Sequence, residues 1–312
     1  MRAFVVGNYM NAHFLNVPRL PRAGETIAAT GVFHEHGGKG LNLAVGLRRL
    51  GAQTQILMTV GRDDPGASVT SWLAASGVDV SHVHAVDAPS GYGVGFVAQD
   101  GSNMLVPYLG ANTALDASHV ESAARDIAQC DWTLAQFEAP DRAILPAFAL
   151  ARQAGRRTYL NAGPCRPFDA RLEALIDVLA MNESEAAGFF DRPDLDGAPR
   201  ARWGEALRQH PRALGWSGRW LVVTLGERGA MARRPDGAIV EAPGYAIAQL
   251  DATGAGDAFG AGLVLALHEG HDDPLRFANA CGAMVARRQG VLAALPQRAD
   301  VEAFRREAGG SG

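Results

Sequence analysis

The segment Asp251-Ala252-Thr253-Gly254-Ala255-Gly256-Asp257 puts small residues and two carboxylates immediately before an apolar run that starts at Ala258. If that run is a helix, its first N–H groups lack partners inside it, and the glycines let an anion approach them closely. The positive end of the helix adds to the attraction. A phosphate suits such a cradle. Asp257, in the first turn, would stand beside it as a carboxylate able to accept a proton from a substrate hydroxyl while the cradle holds the charge of a transferred phosphoryl group. A helix-capping Asp after a glycine turn would look the same in this segment alone.

Three more clusters carry chemistry of the same kind. Gly37-Gly38-Lys39-Gly40-Leu41-Asn42 opens another helical run, and its glycines would let backbone close over a polyhydroxyl ligand, with Asn42 donating and accepting. Asn182-Glu183-Ser184-Glu185 follows a strand-like run, where an amide and a carboxylate suit a hydrated Mg²⁺ carrying phosphates, or else cap a helix. Thr224-Leu225-Gly226-Glu227-Arg228-Gly229 again joins a hydroxyl to glycines after a strand-like run. Spacing excludes the P-loop, since Gly40 follows Gly38-Lys39 where Ser or Thr is required, and the dinucleotide fingerprint, whose third glycine would fall on Phe259. The pair His34-Glu35-His36 has Gly38 where a metalloprotease helix needs its second His. His82 and His84, at alternate positions, are expected on a solvated strand face, and no structural metal is expected.

The elements that must position these groups follow from periodicity. Ala3 to Gly7 reads as a buried strand, Gly38 to Leu50 as a helix and Ile56 to Val60 as a second strand. Helical runs at Asp116 to Ala128 and Asp141 to Ala154 alternate with strands at Trp132 to Gln136, Arg157 to Leu160, Val178 to Met181 and Trp220 to Thr224. Ala255 to His268, Pro274 to Arg287 and Asp300 to Glu307 read as closing helices. Such βαβα order implies a parallel sheet covered on both faces, with the four clusters on the rim at its carboxyl end. Phe14 to Phe33 and Tyr92 to Tyr108, the latter around an Asp100-Gly101 turn, are alternating patches expected to form exposed strands of a small separate sheet.

Composition narrows the partners. The 312 residues include 29 Lys+Arg and 33 Asp+Glu, a net charge of −4, and 47% are hydrophobic, as in an ordinary soluble globular protein. No basic block exceeds a pair such as Arg48-Arg49, which argues against nucleic acid. The longest apolar stretch, Ala258 to Leu267, falls short of the ~18 residues of a membrane span. Cys130, Cys165 and Cys281 lie far apart without metal spacing and are expected as buried, reduced thiols in a cytoplasmic protein. One domain, residues 1–308, is expected, with lid segments at about 12–36 and 91–109 inserted in it and a flexible tail at 309–312.

The chain resembles the PfkB carbohydrate kinase family, and within it the ribokinase branch. Gly37-Gly38-Lys39-Gly40 with Asn42 is similar to the first family signature, and Asp251 to Asp257 to the second. Between them, Gly110-Ala111-Asn112, Gln136-Phe137-Glu138, Asn182 with Glu185, and Thr224 with Gly226 and Gly229 also match, so the likeness covers nearly the whole chain. The resemblance implies a three-layer α/β/α sandwich with a mainly parallel sheet and a small β-sheet lid. It further implies transfer of the γ-phosphate of ATP, with Mg²⁺, to a hydroxymethyl group of a pentose or related sugar. A homodimer through the lid is expected on other grounds, since the exposed strands Gly93 to Val97 and Met104 to Val106 have apolar faces and leave pairing edges that a second lid could cover. It makes Asp257 the base and the amides of Gly254, Ala255 and Gly256 the anion hole. Asn11, Gly38, Lys39, Asn42 and Glu138 match sugar-side positions. Asn182, Thr224, Gly226, Gly229 and Asn279 match nucleotide-side ones, and Glu185 would act on Mg²⁺ through water.

Two departures accompany the likeness. The ribokinase branch places an Asp two residues after the position of Asn11, and here His13 stands there. An imidazole in place of a carboxylate changes which hydroxyls are satisfied, and an unmatched buried polar group costs about 1 to 3 kcal/mol. The loop for a monovalent cation such as K⁺ maps onto Asp251 and the carbonyls near Thr253, Val285, Arg288 and Gly290, but Ala294 replaces a Ser. Alternatives are a nucleoside kinase of the same family, a non-catalytic sugar- or nucleotide-binding relative, which could dispense with Asp257, and a scaffold that binds neither.

Overall fold

Along the first strand, β1 (Arg2–Val6), Ala3 and Val5 enter one hydrophobic core while Phe4 and Val6 enter a second on the opposite face. The next strand in the sheet, β4 (Gln53–Gly61), repeats the division, with Ile56 and Met58 on the first side and Leu57 on the other. Side chains that alternate between two dry faces require helices on both. The structure, a computed structural model, describes residues 1–309 apart from Gly101 and Phe168. Part of the expected Asp100-Gly101 turn and most of the expected tail therefore lie outside the described residues.

The main sheet has the order β13 (Ile239–Ala242), β12 (Ala230–Arg233), β11 (Trp220–Thr224), β10 (Val178–Asn182), β9 (Arg157–Asn161), β8 (Trp132–Gln136), β1, β4, β5 (Asp79–Val86). Every pairing from β11 to β5 is parallel, and β12 and β13 are added antiparallel. Helices α1 (Lys39–Arg49), α2 (Asp64–Ala75), α10 (Ala255–Glu269), α11 (Pro274–Ala286) and α12 (Arg298–Gly309) contribute to the first core. The second is built by α3 (Ala117–Ser122), α4 (Ala124–Gln129), α5 (Asp141–Gln153), α6 (Ala170–Glu173), α7 (Glu183–Phe189), α8 (Arg200–Gln209) and α9 (Pro211–Leu214). The expected three-layer α/β/α sandwich is thus the observed one. A separate sheet with the order β3 (Gly31–Gly37), β2 (Met10–Val17), β6 (Tyr92–Ala98), β7 (Asn103–Tyr108) forms the lid.

The patch Phe14 to Phe33 holds parts of two strands, as expected, with Pro18, Pro21 and Gly24, whose φ is +80°, between them. Other local expectations needed correction. The helix expected over Asp116 to Ala128 is divided into α3 and α4 at Ala123. His82 and His84 are not on a solvated face: His82 Nε2 lies 2.8 Å from Asp126 Oδ2 and the His84 ring 4.9 Å from that of His119. Although β5 is an edge strand, α3 and α4 cover that side of it. Cys165 is exposed, whereas Cys130 and Cys281 are buried.

Strand β1 is flanked by β4 and β8, so the direction of sheet order reverses there. In open α/β sheets ligands bind beyond the strand carboxyl ends at such a switch. The loops after β1 and β8 and the start of α1 meet at that place.

Candidate active site

Helix α10 begins at Gly254, whose φ of +76° is a left-handed conformation that favours glycine. Val291 packs where a side chain at Gly254 would have to go. Ala255 N–H donates to Ala252 O at 3.2 Å, while the amides of Gly254 and Gly256 have no partner among the described residues. The cradle therefore offers two open donors, with the Ala255 amide already engaged in a turn. Asp257, one turn in, is only 5% exposed. Burial raises its pKa from 3.8 to about 6, the Lys39 ammonium and a hydrogen bond from Asn42 oppose the rise, and the Glu138 and Glu185 carboxylates add to it. A carboxylate poised near neutrality and hydrogen-bonded in place is suited to proton abstraction.

The first glycine cluster lies against the same carboxylate. Asn42 Nδ2 donates to Asp257 Oδ2 at 2.8 Å, and Asp257 is the foremost cause of the raised Lys39 pKa. Beneath them is a shared hydrogen-bond network. Glu138 Oε2 accepts from Lys39 N (2.9 Å) and Asn8 Nδ2 (2.8 Å), Asn8 Oδ1 accepts from Gly40 N (2.9 Å) and Gln136 Nε2 (2.9 Å), and Gln136 Oε1 accepts from Glu138 N (2.6 Å). A side chain at Gly40 would collide with Gly7 and Gln136, so only glycine lets α1 approach the end of β1 this closely. Gly38, Lys39, Asn42, Glu138 and Asp257 are thereby gathered around one spot, as the sequence suggested.

Asn11 and His13 are not with them. Strand pairing puts Asn11, His13, His34, His36, Tyr92 and Val94 on one face of the lid, and Met10, Ala12, Phe14, Phe33 and Glu35 on the other. The second face looks onto the body: Phe14, Phe33 and Glu35 line a cavity with Asp251, Ala252 and Thr253, the residues leading into the cradle. On the first face the His13 ring stacks on Tyr92, 4.8 Å between centroids, and on His34 at 5.7 Å, while His36 contacts Trp72 of α2. The sugar-side assignments of Asn11 and His13 are corrected accordingly. Because strand faces alternate residue by residue, an offset of one position inverts them, and Ala12 occupies the inward place next to Gly37.

On the other side of the rim, Asn182 and Thr224 are register partners at the ends of β10 and β11. Asn182 Oδ1 accepts from Glu185 N and Glu185 Oε2 accepts from Asn182 N, both at 2.8 Å, a complete capping box. Glu183 pairs with Arg228. Glu185 Oε1 accepts no hydrogen bond among the described residues and is free to hold a water of a hydrated Mg²⁺. No group of three or more potential metal-ligating side chains exists among the described residues. Gly226 and Gly229 have φ of +57° and +92°, and a side chain at Gly229 would strike Ala242 and Gly244. Asn279 Nδ2 donates to Ala242 O and Pro243 O, both at 3.1 Å, so it fixes that loop.

The segments expected to form a cation loop do meet, since Leu250 N and Asp251 N both donate to Ala286 O at 2.8 and 3.2 Å, and Arg288 N donates to Val285 O at 3.0 Å. Gly290 adjoins the Glu35 carboxylate, which accepts from Val291 N at 3.1 to 3.2 Å. Ala294 is buried and supplies no oxygen from its side chain.

Comparison with known proteins identifies the family. The family model described as pfkB family carbohydrate kinase matches residues 2–298. The chain belongs to the PfkB carbohydrate kinase family. It is 30% identical over 307 residues to the ribokinase of Haemophilus influenzae, covering 96% of this chain and 97% of that one. Among solved structures, Arabidopsis thaliana ribokinase complexed with ribose and ATP superimposes with a TM-score of 0.85 at 26% identity, over 97% of this chain and 98% of the other. Ribokinase from Giardia lamblia gives 0.87 at 22% identity, over 98% of each chain, and shows the shared fold.

In this carbohydrate kinase, several site residues escaped sequence reasoning. Asn8, completely buried, anchors the network beneath Lys39, and Tyr159 has a buried hydroxyl with no partner among the described residues, whose pKa is raised by burial first and then by the Asp257 and Glu185 carboxylates. Glu35 was likewise passed over. A polar residue directly after a buried strand, as Asn8 follows Val6-Gly7, was the available signal for the first of these. No helix of the described residues is long and apolar enough to cross a membrane.

Proposed function

We propose that this chain uses ATP and Mg²⁺ to phosphorylate a hydroxymethyl group of a pentose or a sugar derivative, with Asp257 as general base. One observation carries the reading: a buried carboxylate with a pKa of about 6 lies a single helical turn from the two unpartnered amides of Gly254 and Gly256. Asn42 fixes one carboxylate oxygen and leaves the other to accept the hydroxyl proton. As the oxygen attacks, the Gly254 and Gly256 amides and the α10 dipole stabilise the charge on the transferred group. Lys39, held near Asp257, keeps the carboxylate ionised and adds positive charge to the site.

The nucleotide would lie over Thr224, Gly226 and Gly229, with Asn279 holding the adjoining loop. Mg²⁺ would neutralise phosphate charge, with Glu185 engaging it through water. The ribokinase relatives support ATP as donor and a pentose as acceptor. Asp251, Thr253, Val285, Arg288 and Gly290 would hold K⁺ with one fewer side-chain ligand, owing to Ala294. A cytoplasmic location fits an ATP-consuming enzyme.

Dimerisation through the lid is part of this reading. Val32, Tyr92, Met104, Val106 and Tyr108 share the outer lid face and are 70%, 40%, 46%, 60% and 58% exposed. A second lid could cover this apolar surface. Strand β6 is already paired on both sides, so the contact would be made by the face and by the edges β3 and β7.

A coupled ADP-release screen over pentoses, hexoses, their derivatives and nucleosides tests the reading. Turnover with at least one of them, abolished in excess chelator, is expected, and ADP release from none would contradict it.

A further inference from the structure

The inward face of the lid is largely apolar. Beyond Ala12 it continues as Phe14 and Phe33, register partners whose rings lie 4.8 Å apart between centroids and within 12° of parallel. With Val97, Ala98 and Leu105 they form one wall of a cavity of about 540 Å³. The opposite wall is Gln249 to Thr253, where Leu250 is 68% exposed, and Leu105 on the lid side is 53% exposed. Large apolar side chains left open on both sides of a cleft call for an apolar body between them. Three neutral amides, Gln99, Gln249 and Gln289, also line the cavity. Each can donate and accept.

The cavity adjoins the start of α10. Asp251, Ala252 and Thr253, which line it, lead along the chain into Gly254, and Val291, which abuts Gly254, is fastened through its amide to the carboxylate of Glu35, another lining residue. From Ala12 to Phe14 the strand advances about 7 Å, so a molecule whose hydroxymethyl group is at Asp257 and whose ring lies under Ala12 would place its far substituent against Phe14 and Phe33. A hydroxyl-rich end would set unsatisfied polar groups against this apolar wall. A flat heterocycle would not, because its faces suit aromatic side chains and its edge suits amides.

We infer that the preferred acceptor of this kinase is a nucleoside-like molecule, a sugar carrying a planar heterocycle that lies against Phe14 and Phe33 with its edge toward the glutamines. The inference rests on the kinase reading given above and specifies its acceptor.

The test measures kcat/KM by ADP release, and Kd by calorimetry, for adenosine, inosine, cytidine, uridine and ribose, using the wild type, Phe33→Ala and the milder Phe33→Leu. At least one nucleoside should exceed ribose by a hundredfold or more in kcat/KM. Phe33→Ala should weaken that nucleoside roughly ten- to a hundredfold in both quantities, the usual worth of a stacked base, and leave ribose within about threefold. Phe33→Leu, which keeps apolar bulk without the ring, should fall between. Ribose matching or exceeding every nucleoside, or equal losses for both ligands in the variants, overturns the inference and leaves the kinase reading intact. If the wild type binds these ligands but turns none over, the kinase reading fails, and the calorimetric ratio of nucleoside to ribose still decides what the pocket prefers. If it binds none of them, the inference is overturned.

Discussion

Asn42 and Asp257, separated by 215 positions in the chain, are joined by a hydrogen bond of 2.8 Å that ties the first turn of α1 to the first turn of α10. The two glycine-rich helix starts thus meet through their side chains as well as through packing. The bond favours the ionised carboxylate, as does Lys39, and both act against the effect of burial.

That balance predicts a pH profile. A base works unprotonated, and the Asp257 pKa is raised from 3.8 to about 6, so kcat/KM should level off above pH 6 and fall about tenfold per unit below it. Removing the Lys39 charge by Lys39→Met, or the hydrogen bond by Asn42→Ala, takes away an influence that lowers the pKa. In either variant the acidic limb should move to higher pH, and a limb that stays fixed or moves down would contradict this assignment.

The lid register predicts which substitution alters sugar choice. Ala12→Asp places a carboxylate on the inward face beside Gly37 and should raise kcat/KM for ribose relative to the best substrate by roughly ten- to a hundredfold, as expected for one charge-assisted hydrogen bond. His13→Asp puts the same group on the outer face and should leave the ratio within about twofold. The reverse pattern would show that the strand presents its other face to the substrate.

The outer face predicts a dimer that one charge can disrupt. Val106→Asp, at a side chain 60% exposed in the single chain, should convert a dimer at micromolar concentration into monomer in sedimentation velocity. A wild type that sediments as a monomer, with and without ligand, would remove the lid contact from the account.

Much of this was legible in the sequence because it depends on local chemistry. Gly254 and Gly256 before an apolar run mark a helix start with free amides, and apolar runs such as Val178 to Met181 mark strands buried on both sides. The lid face was harder to read. The stretch Asn8-Tyr9-Met10-Asn11 has no alternation to fix where the inward register begins, so Asn11 and His13 were placed one position out of phase. Glu35 was invisible because its partner Val291 is 256 positions away, and His82 looked solvent-facing because nothing nearby in sequence shows that α4 supplies Asp126. Pairings of that kind belong to tertiary structure and leave no mark in local spacing.

The most direct measurement is the single-turnover rate of Asp257→Asn with saturating ATP, Mg²⁺ and the best acceptor, alongside its Kd for ATP. The amide keeps the shape and removes the base. Phosphoryl transfer should slow by roughly 10² to 10⁴-fold while the Kd for ATP changes by no more than a few-fold. A transfer rate within about threefold of the wild type would contradict the assignment of Asp257 as the base.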